Sequence, residues 1–183
     1  MKARSVGELI AALDGDRRVK YLPFWGHHPR PDGAIGASCL SQWWPVEFTV
    51  GGVDFRTAEH YMMWRKAMLF DDRASAEKIL AAAHPGEAKA LGRSIRGFVE
   101  DLWTEHRYGI VVDGSLAKFG QHKELRRFLL KTGERVLVEA SPVDRIWGVG
   151  LTADDPRIED PTAWKGTNLL GFALMEAREV LRT

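Results

Sequence analysis

A chain of 183 residues with 45% apolar and 28% charged side chains can bury a core of useful size, and no stretch is biased enough to keep it disordered. Its formal charge of +1, from 26 basic and 25 acidic side chains, excludes a global field drawing it to nucleic acid or an anionic membrane, so any bound anion must be held by a local cluster. Cys39 is the one cysteine, which excludes an internal disulfide; with no signal-peptide core over Met1 to Asp14 and no run of about 20 apolar residues, a cytoplasmic protein without a membrane partner is expected.

Ser5-Val6-Gly7-Glu8 has capping-box spacing, and Val6, Leu9, Ile10 and Leu13 follow at helical intervals. This predicts a short helix running to Gly15, an N-terminal appendage over residues 1–19. From Val19 to Phe55 short apolar pieces are broken by His27-His28-Pro29-Arg30-Pro31-Asp32-Gly33 and by Gly51-Gly52, the pattern of short strands and a hairpin. Helical patterns then take over: Ala58 to Phe70, Ala74 to Ala83, Pro85 to Ile95, Glu100 to Phe119, and His122 to Lys131 stopped by Gly133. The unbroken run Val136-Leu137-Val138 predicts a buried strand over Arg135 to Ala140, followed by the loop Ser141-Pro142-Val143-Asp144 and by Trp147-Gly148-Val149-Gly150. A last helix spans about Asn168 to Leu181. The expected class is mainly α (α+β), a single domain over residues 20–183 with a small antiparallel β component.

The helix after Thr57 is apolar on nearly every side, so it should be buried, yet Glu59 and Lys66 share one of its stripes with Met63 and Phe70. Two opposite charges then point towards an enclosed space. Thr57 as N-cap and an acid in the first turn also have an ordinary use in stabilising a helix. Asp144 follows a buried strand in a loop, where rigid scaffolds present reactive groups, although Asp is also a common turn former; Glu139 is a competing carboxylate. Lys89, Arg93, Arg96 and Lys118 recur on helical faces that can hold a phosphate or simply meet solvent. Of seven tryptophans, Trp25, Trp43, Trp44, Trp147 and Trp164 lie in segments rich in Gly, Pro or charge, where flat side chains can line a pocket for a flat ligand or cap the core.

Other chemistries lack their residues. The six histidines show no metal-ligand spacing, Gly148-Val149-Gly150 lacks the third glycine of a dinucleotide fingerprint, and there is no phosphate-binding loop with Gly-Lys-Ser/Thr. No metal and no cofactor are expected, and Cys39 has no identifiable base partner for a thiol nucleophile.

The ordered words Leu40-Ser41-Gln42-Trp43-Trp44-Pro45, Thr57-Ala58-Glu59-His60-Tyr61-Met62-Met63 with Lys66-Ala67, and Ala88-Lys89-Ala90-Leu91-Gly92-Arg93 form one half of a pattern. Lys118-Phe119-Gly120-Gln121, Leu137-Val138-Glu139-Ala140-Ser141-Pro142, Asp144, Trp147-Gly148-Val149-Gly150 and Trp164-Lys165-Gly166-Thr167-Asn168-Leu169-Leu170-Gly171 continue it. The whole resembles the YbiA-like, or NADAR, superfamily over about residues 20 to 182. That resemblance implies an N-glycosidase domain that is mainly helical, and gives functional weight to Glu59, Lys66 and Asp144. It also implies two substrate branches: release of ribose 5-phosphate from ribosylaminopyrimidine phosphates of early riboflavin synthesis, or removal of ADP-ribose from guanine in nucleic acid. Ser41-Gln42-Trp43-Trp44 departs from the Ser-Asn-Phe-Tyr of many relatives, which bears on the shape of the base-facing wall.

Cleaving a ribosyl–nitrogen bond builds positive charge on the sugar, so a carboxylate is needed near the anomeric carbon, with a second group to orient the sugar or assist the departing base. The expectation is that Glu59 and Asp144 divide these tasks and Lys66 supplies a charge, or an amine if its pKa is lowered. Trp44 and Trp147 are the candidates for stacking on the base, and Arg93, Lys118 and Asn168 for contacts to phosphate or ribose. The partner is then a phosphorylated small molecule; nucleic acid enters only with the ADP-ribosyl reading, and a non-catalytic nucleotide-binding module is the remaining alternative.

Overall fold

The computed structural model describes residues 3–13 and 19–183. Its elements are, in order, α1 (Val6–Leu13), β1 (Tyr21–Phe24), β2 (Phe48–Val50), β3 (Val53–Phe55), α2 (Ala58–Leu69) and α3 (Arg73–Ala81). They continue with α4 (Pro85–Gly92), α5 (Glu100–Gln121), α6 (Lys123–Lys131), β4 (Val136–Glu139) and α7 (Leu169–Arg182). Two compact units divide them: Met1–Ser41 with Lys123–Thr183, and Gln42–His122. The chain is thus mainly helical with a small β component. The predicted end of the first helix at Gly15 lies outside the described residues, and no helix among those described is long and apolar enough to cross a membrane.

In the first unit, β1 and β4 pair in parallel, from Tyr21 opposite Val136 to Phe24 opposite Glu139. The sequence pattern points to an antiparallel component; the β1–β4 pair is parallel, an arrangement that the long connection between its strands permits and a tight turn would exclude. Pro23, which has no N–H to give a ladder, is tolerated because β1 is an edge strand whose described partner is β4 alone. Val136, Leu137 and Val138 are wholly buried, as are Phe172, Ala173, Leu174 and Ala177 of α7, which packs on β4. Arg178 is also wholly buried on α7; its Nη1 donates to the Thr132 hydroxyl at 2.8 Å and the Arg135 carbonyl at 2.9 Å, satisfying the turn after α6.

In the second unit, Gly51 and Gly52 take φ of 58° and 80°, the left-handed pair that a two-residue hairpin turn demands, and set β2 against β3 with Phe48 opposite Phe55. Both rings pack on Tyr61 of α2, Phe55 edge-on at 5.1 Å and Phe48 at 6.0 Å. α2 is the hub, contacting α3, α4 and α5. Glycines let its neighbours approach: a Cβ on Gly92 of α4 would run into the Met63 thioether, and one on Gly114 of α5 would sit 2.6 Å from the Tyr61 ring. The fourth helix ends at Gly92, short of the predicted Ile95. Below it the Asp72 carboxylate both caps α3 at Ser75 and accepts from the Arg96 backbone and guanidinium, which fixes the chain after α4 and holds that carboxyl well below the usual range.

Two glycine substitutions separate close packing from helix propensity. A Cβ on Gly171 would collide with the Leu137 carbonyl and the Asn168 amide, so Gly171→Ala is expected to cost about 3 kcal/mol. Gly109 is exposed in mid-helix with open space around it, so Gly109→Ala should add about 1 kcal/mol. Urea denaturation midpoints check both signs.

Candidate active site

The first turn of α2 is built around Thr57. Its hydroxyl oxygen accepts from the His60 N–H at 3.4 Å and lies 2.8 Å from His60 Nδ1, while His60 Nε2 lies 3.3 Å from the Ala82 carbonyl. The carbonyl can only accept, so Nε2 carries the proton and the Thr57 hydroxyl donates to Nδ1. This relay fixes the helix start, and the Glu59 N–H donates to the Gln42 carbonyl at 2.9 Å. Glu59 is thereby held 3% exposed. A first-turn acid gains only about 0.3–1 kcal/mol from the helix dipole. Withdrawing a carboxylate from water costs several kcal/mol. The dipole explains an acid at this position and does not by itself account for its burial.

Lys66 lies two turns on, about 10 Å along the helix. Its Nζ donates to the Gly92 carbonyl at 2.9 Å, capping the end of α4, and sits over the Phe98 ring at 4.3 Å and the Trp103 ring at 5.3 Å. Burial lowers its pKa, with the Glu100 charge opposing. Arg93, next along from Gly92, is exposed. Lys118 is 0% exposed on α5, with Nζ 5.0 Å from the Phe119 ring centre. Trp44 is 5% exposed and packs in the core. Its neighbour Trp43 is the half-exposed one, with Lys89 Nζ 5.9 Å above its ring.

In the other unit, the segment after β4 leaves and returns to the same strand end. Ala140 N–H donates to the Phe24 carbonyl at 2.9 Å, and Val149 N–H comes back to the Glu139 carbonyl at 3.0 Å. Within this loop Asp144 Oδ1 accepts from Ile146 N–H at 2.9 Å and Trp147 N–H at 2.8 Å, and the Asp144 N–H donates to the Ser141 hydroxyl at 3.2 Å. One carboxylate oxygen, Oδ1, thus shapes the loop. Backbone bonds from Lys165 to Val149, Thr167 to Arg145, Asn168 to Gly148 and Leu170 to Trp147 clamp the loop down. Asn168, wholly buried at φ 52°, spends its amide on β4: Oδ1 accepts from Glu139 N–H at 3.0 Å and Nδ2 donates to the Leu137 carbonyl at 2.9 Å.

The structure therefore brings Lys66 to the end of α4 beside Arg93, and Asp144 directly onto Trp147, with Asn168 bracing their loop from beneath. Sequence reasoning missed the Thr57–His60 relay, whose signal was a histidine three residues after an N-cap threonine. It also missed the bracing role of Asn168, which depends on a strand far away in the chain. Among the described residues no group of three or more His, Cys, Asp or Glu side chains is arranged to hold a metal ion.

Comparison with known proteins bears on this arrangement. The NADAR domain family matches residues 23–182. The chain is 41% identical over 165 residues to N-glycosidase R617 of Acanthamoeba polyphaga mimivirus, covering 87% of this chain and 95% of the relative. It is 34% identical over 138 residues to N-glycosidase YbiA of Escherichia coli, covering 75% and 76%. The solution structure of the E. coli protein YbiA matches with a TM-score of 0.70 at 28% identity, over 91% of this chain and 87% of that one.

The relay has a pH signature. Burial holds His60 below its ordinary value of 6.5, so the unfolded chain takes up a proton that the folded one refuses. The stability His60 contributes is complete above its unfolded pKa and is lost as pH falls towards the lowered folded one. Urea titrations between about pH 8 and pH 5 should show this acid-side decline in the native protein and a flatter profile in His60→Gln.

Proposed function

The chain belongs to the NADAR family, and from that premise we propose that it cleaves the ribosylaminopyrimidine phosphates of early riboflavin synthesis, releasing ribose 5-phosphate and the free base. It is a hydrolase acting on N-glycosyl bonds. In the reaction the oxygen of water bonds to the anomeric carbon, the carbon–nitrogen bond breaks, and its electron pair leaves with the base, which takes up a proton.

The observation that carries the assignment of roles is the burial of Glu59 in the first turn of an apolar helix. A carboxylate in surroundings of low polarisability acts strongly on a developing oxocarbenium charge, and buried acids gather at functional sites. Glu59 is assigned to stabilise that charge and to accept the proton of the attacking water. Asp144, whose Oδ1 is fixed by two backbone N–H groups, is assigned to accept from the sugar hydroxyls through Oδ2. Lys66 supplies positive charge towards the anionic substrate; the pull of the Gly92 carbonyl and two ring faces keeps its amine in one place. Arg93, exposed beside the end of α4, is the assigned phosphate contact, and Trp147 lends its ring to the base. Lys118 and Asn168 are assigned to positioning, since both side chains are wholly buried. A protein with this role works in the cytoplasm, with a phosphorylated small molecule as partner and neither a membrane nor nucleic acid.

Glu59→Gln and Asp144→Asn keep size and one acceptor oxygen while removing charge. Each is expected to lower kcat by about 10²- to 10⁴-fold with the fold intact, measured as sugar phosphate released from the ribosylaminopyrimidine phosphate. Borohydride added during turnover should leave the protein mass unchanged. A reduced sugar adduct on Lys66 would instead make that amine a nucleophile.

A further inference from the structure

The parallel pairing of β1 and β4 puts the residue that follows Phe24 beside the loop that carries Asp144. The ladder runs on past the strand ends, because Ala140 N–H still donates to the Phe24 carbonyl at 2.9 Å. Neighbouring strands lie about 5 Å apart, so Trp25 emerges alongside Ala140 and Ser141, where the loop begins. Trp25 is 64% exposed, the chain turning away immediately after it at Gly26 with φ 78°. On the loop itself Val143 is 88% and Ile146 44% exposed, and Trp147 is half-exposed. The loop that carries Asp144 and the residue after β1 therefore both leave apolar side chains exposed at the carboxyl end of a parallel strand pair, the end at which open parallel sheets receive ligands.

Single exposed apolar residues are ordinary. Trp25 at the strand end, with Val143, Ile146 and Trp147 on the loop that starts beside it, offers apolar surface for something flat with a polar edge. We propose that Trp25 is a second stacking platform for the base of the substrate, in addition to Trp147, and so a determinant of which bases are accepted. Trp44, which the sequence offered for that task, is packed away in the core, whereas Trp25 is the most exposed of the tryptophans. The inference rests on the N-glycosidase reading for its substrate, and on the geometry of β1, β4 and their loop for its residue. Because the ring stacks on the base before the bond breaks, its energy is spent on binding more than on the chemical step.

Two measurements separate this inference from the reading it rests on. Steady-state kinetics with the ribosylaminopyrimidine phosphate should show KM raised about tenfold in Trp25→Ala, with kcat within about twofold, and a KM near the native one in Trp25→Phe, which keeps an aromatic face. Tryptophan fluorescence titrated with the free aminopyrimidine base should be quenched in the native protein and lose that component in Trp25→Phe. Turnover with KM unchanged in Trp25→Ala overturns the inference and leaves the N-glycosidase reading standing. Quenching that depends on Trp25 in a protein without turnover does the reverse, and the absence of both removes both.

Discussion

One buried amide holds the Asp144 half of this protein in shape. β4 spends one edge on β1, and its other edge would present an unpaired carbonyl and N–H to the interior, at several kcal/mol if left unmet. Asn168 closes that edge with its side chain, taking the Glu139 N–H on Oδ1 and giving Nδ2 to the Leu137 carbonyl, as a neighbouring peptide would. The Val149 N–H completes the seal at the Glu139 carbonyl. The loop between is therefore tied at both ends to one strand, and Asp144 is presented at a fixed height above it. Gly171 follows from the same constraint, since only a residue without Cβ lets α7 start this close to Leu137.

In the helical unit the governing constraint is crowding around α2. Gly92 and Gly114 let α4 and α5 come close enough to seal Met63 and Tyr61, and that closeness also denies solvent to Glu59 and most of Lys66. The charged groups are thus not additions to a finished core. They are fixed by the same contacts that build it, with the Thr57–His60 relay setting the helix start and the Gly92 carbonyl receiving the lysine. A charge in that position has its geometry determined before any substrate arrives, which is what electrostatic stabilisation of a transition state requires.

Much of this is legible in the sequence for physical reasons. Val136-Leu137-Val138 has to be a buried strand, Gly51-Gly52 has to be a turn, and a helix apolar all round has to be central, which by itself puts Glu59 under cover. What stays hidden depends on long-range contact. Nothing local says that Tyr21–Phe24 pairs with Val136–Glu139 in parallel, so the sequence cannot place Trp25 beside the start of the loop that carries Asp144. Asn168 reads equally as a helix start or a ligand contact, whereas its use is to stand in for a missing strand. Trp43 and Trp44 sit in a segment with no periodicity, and sequence alone has no means of deciding which of them is buried. Arg178 reads as a polar position on an amphipathic helix and is wholly enclosed, with its Nη1 bonded to the chain after α6.

The identity of the released sugar decides between the two substrate branches. The most direct measurement offers the native protein the ribosylaminopyrimidine phosphate and, separately, DNA carrying ADP-ribosylated guanine, and follows the released sugar by mass spectrometry. Ribose 5-phosphate from the first substrate, with nothing released from the second, is the result predicted. ADP-ribose freed from the DNA while the pyrimidine substrate survives intact would contradict it.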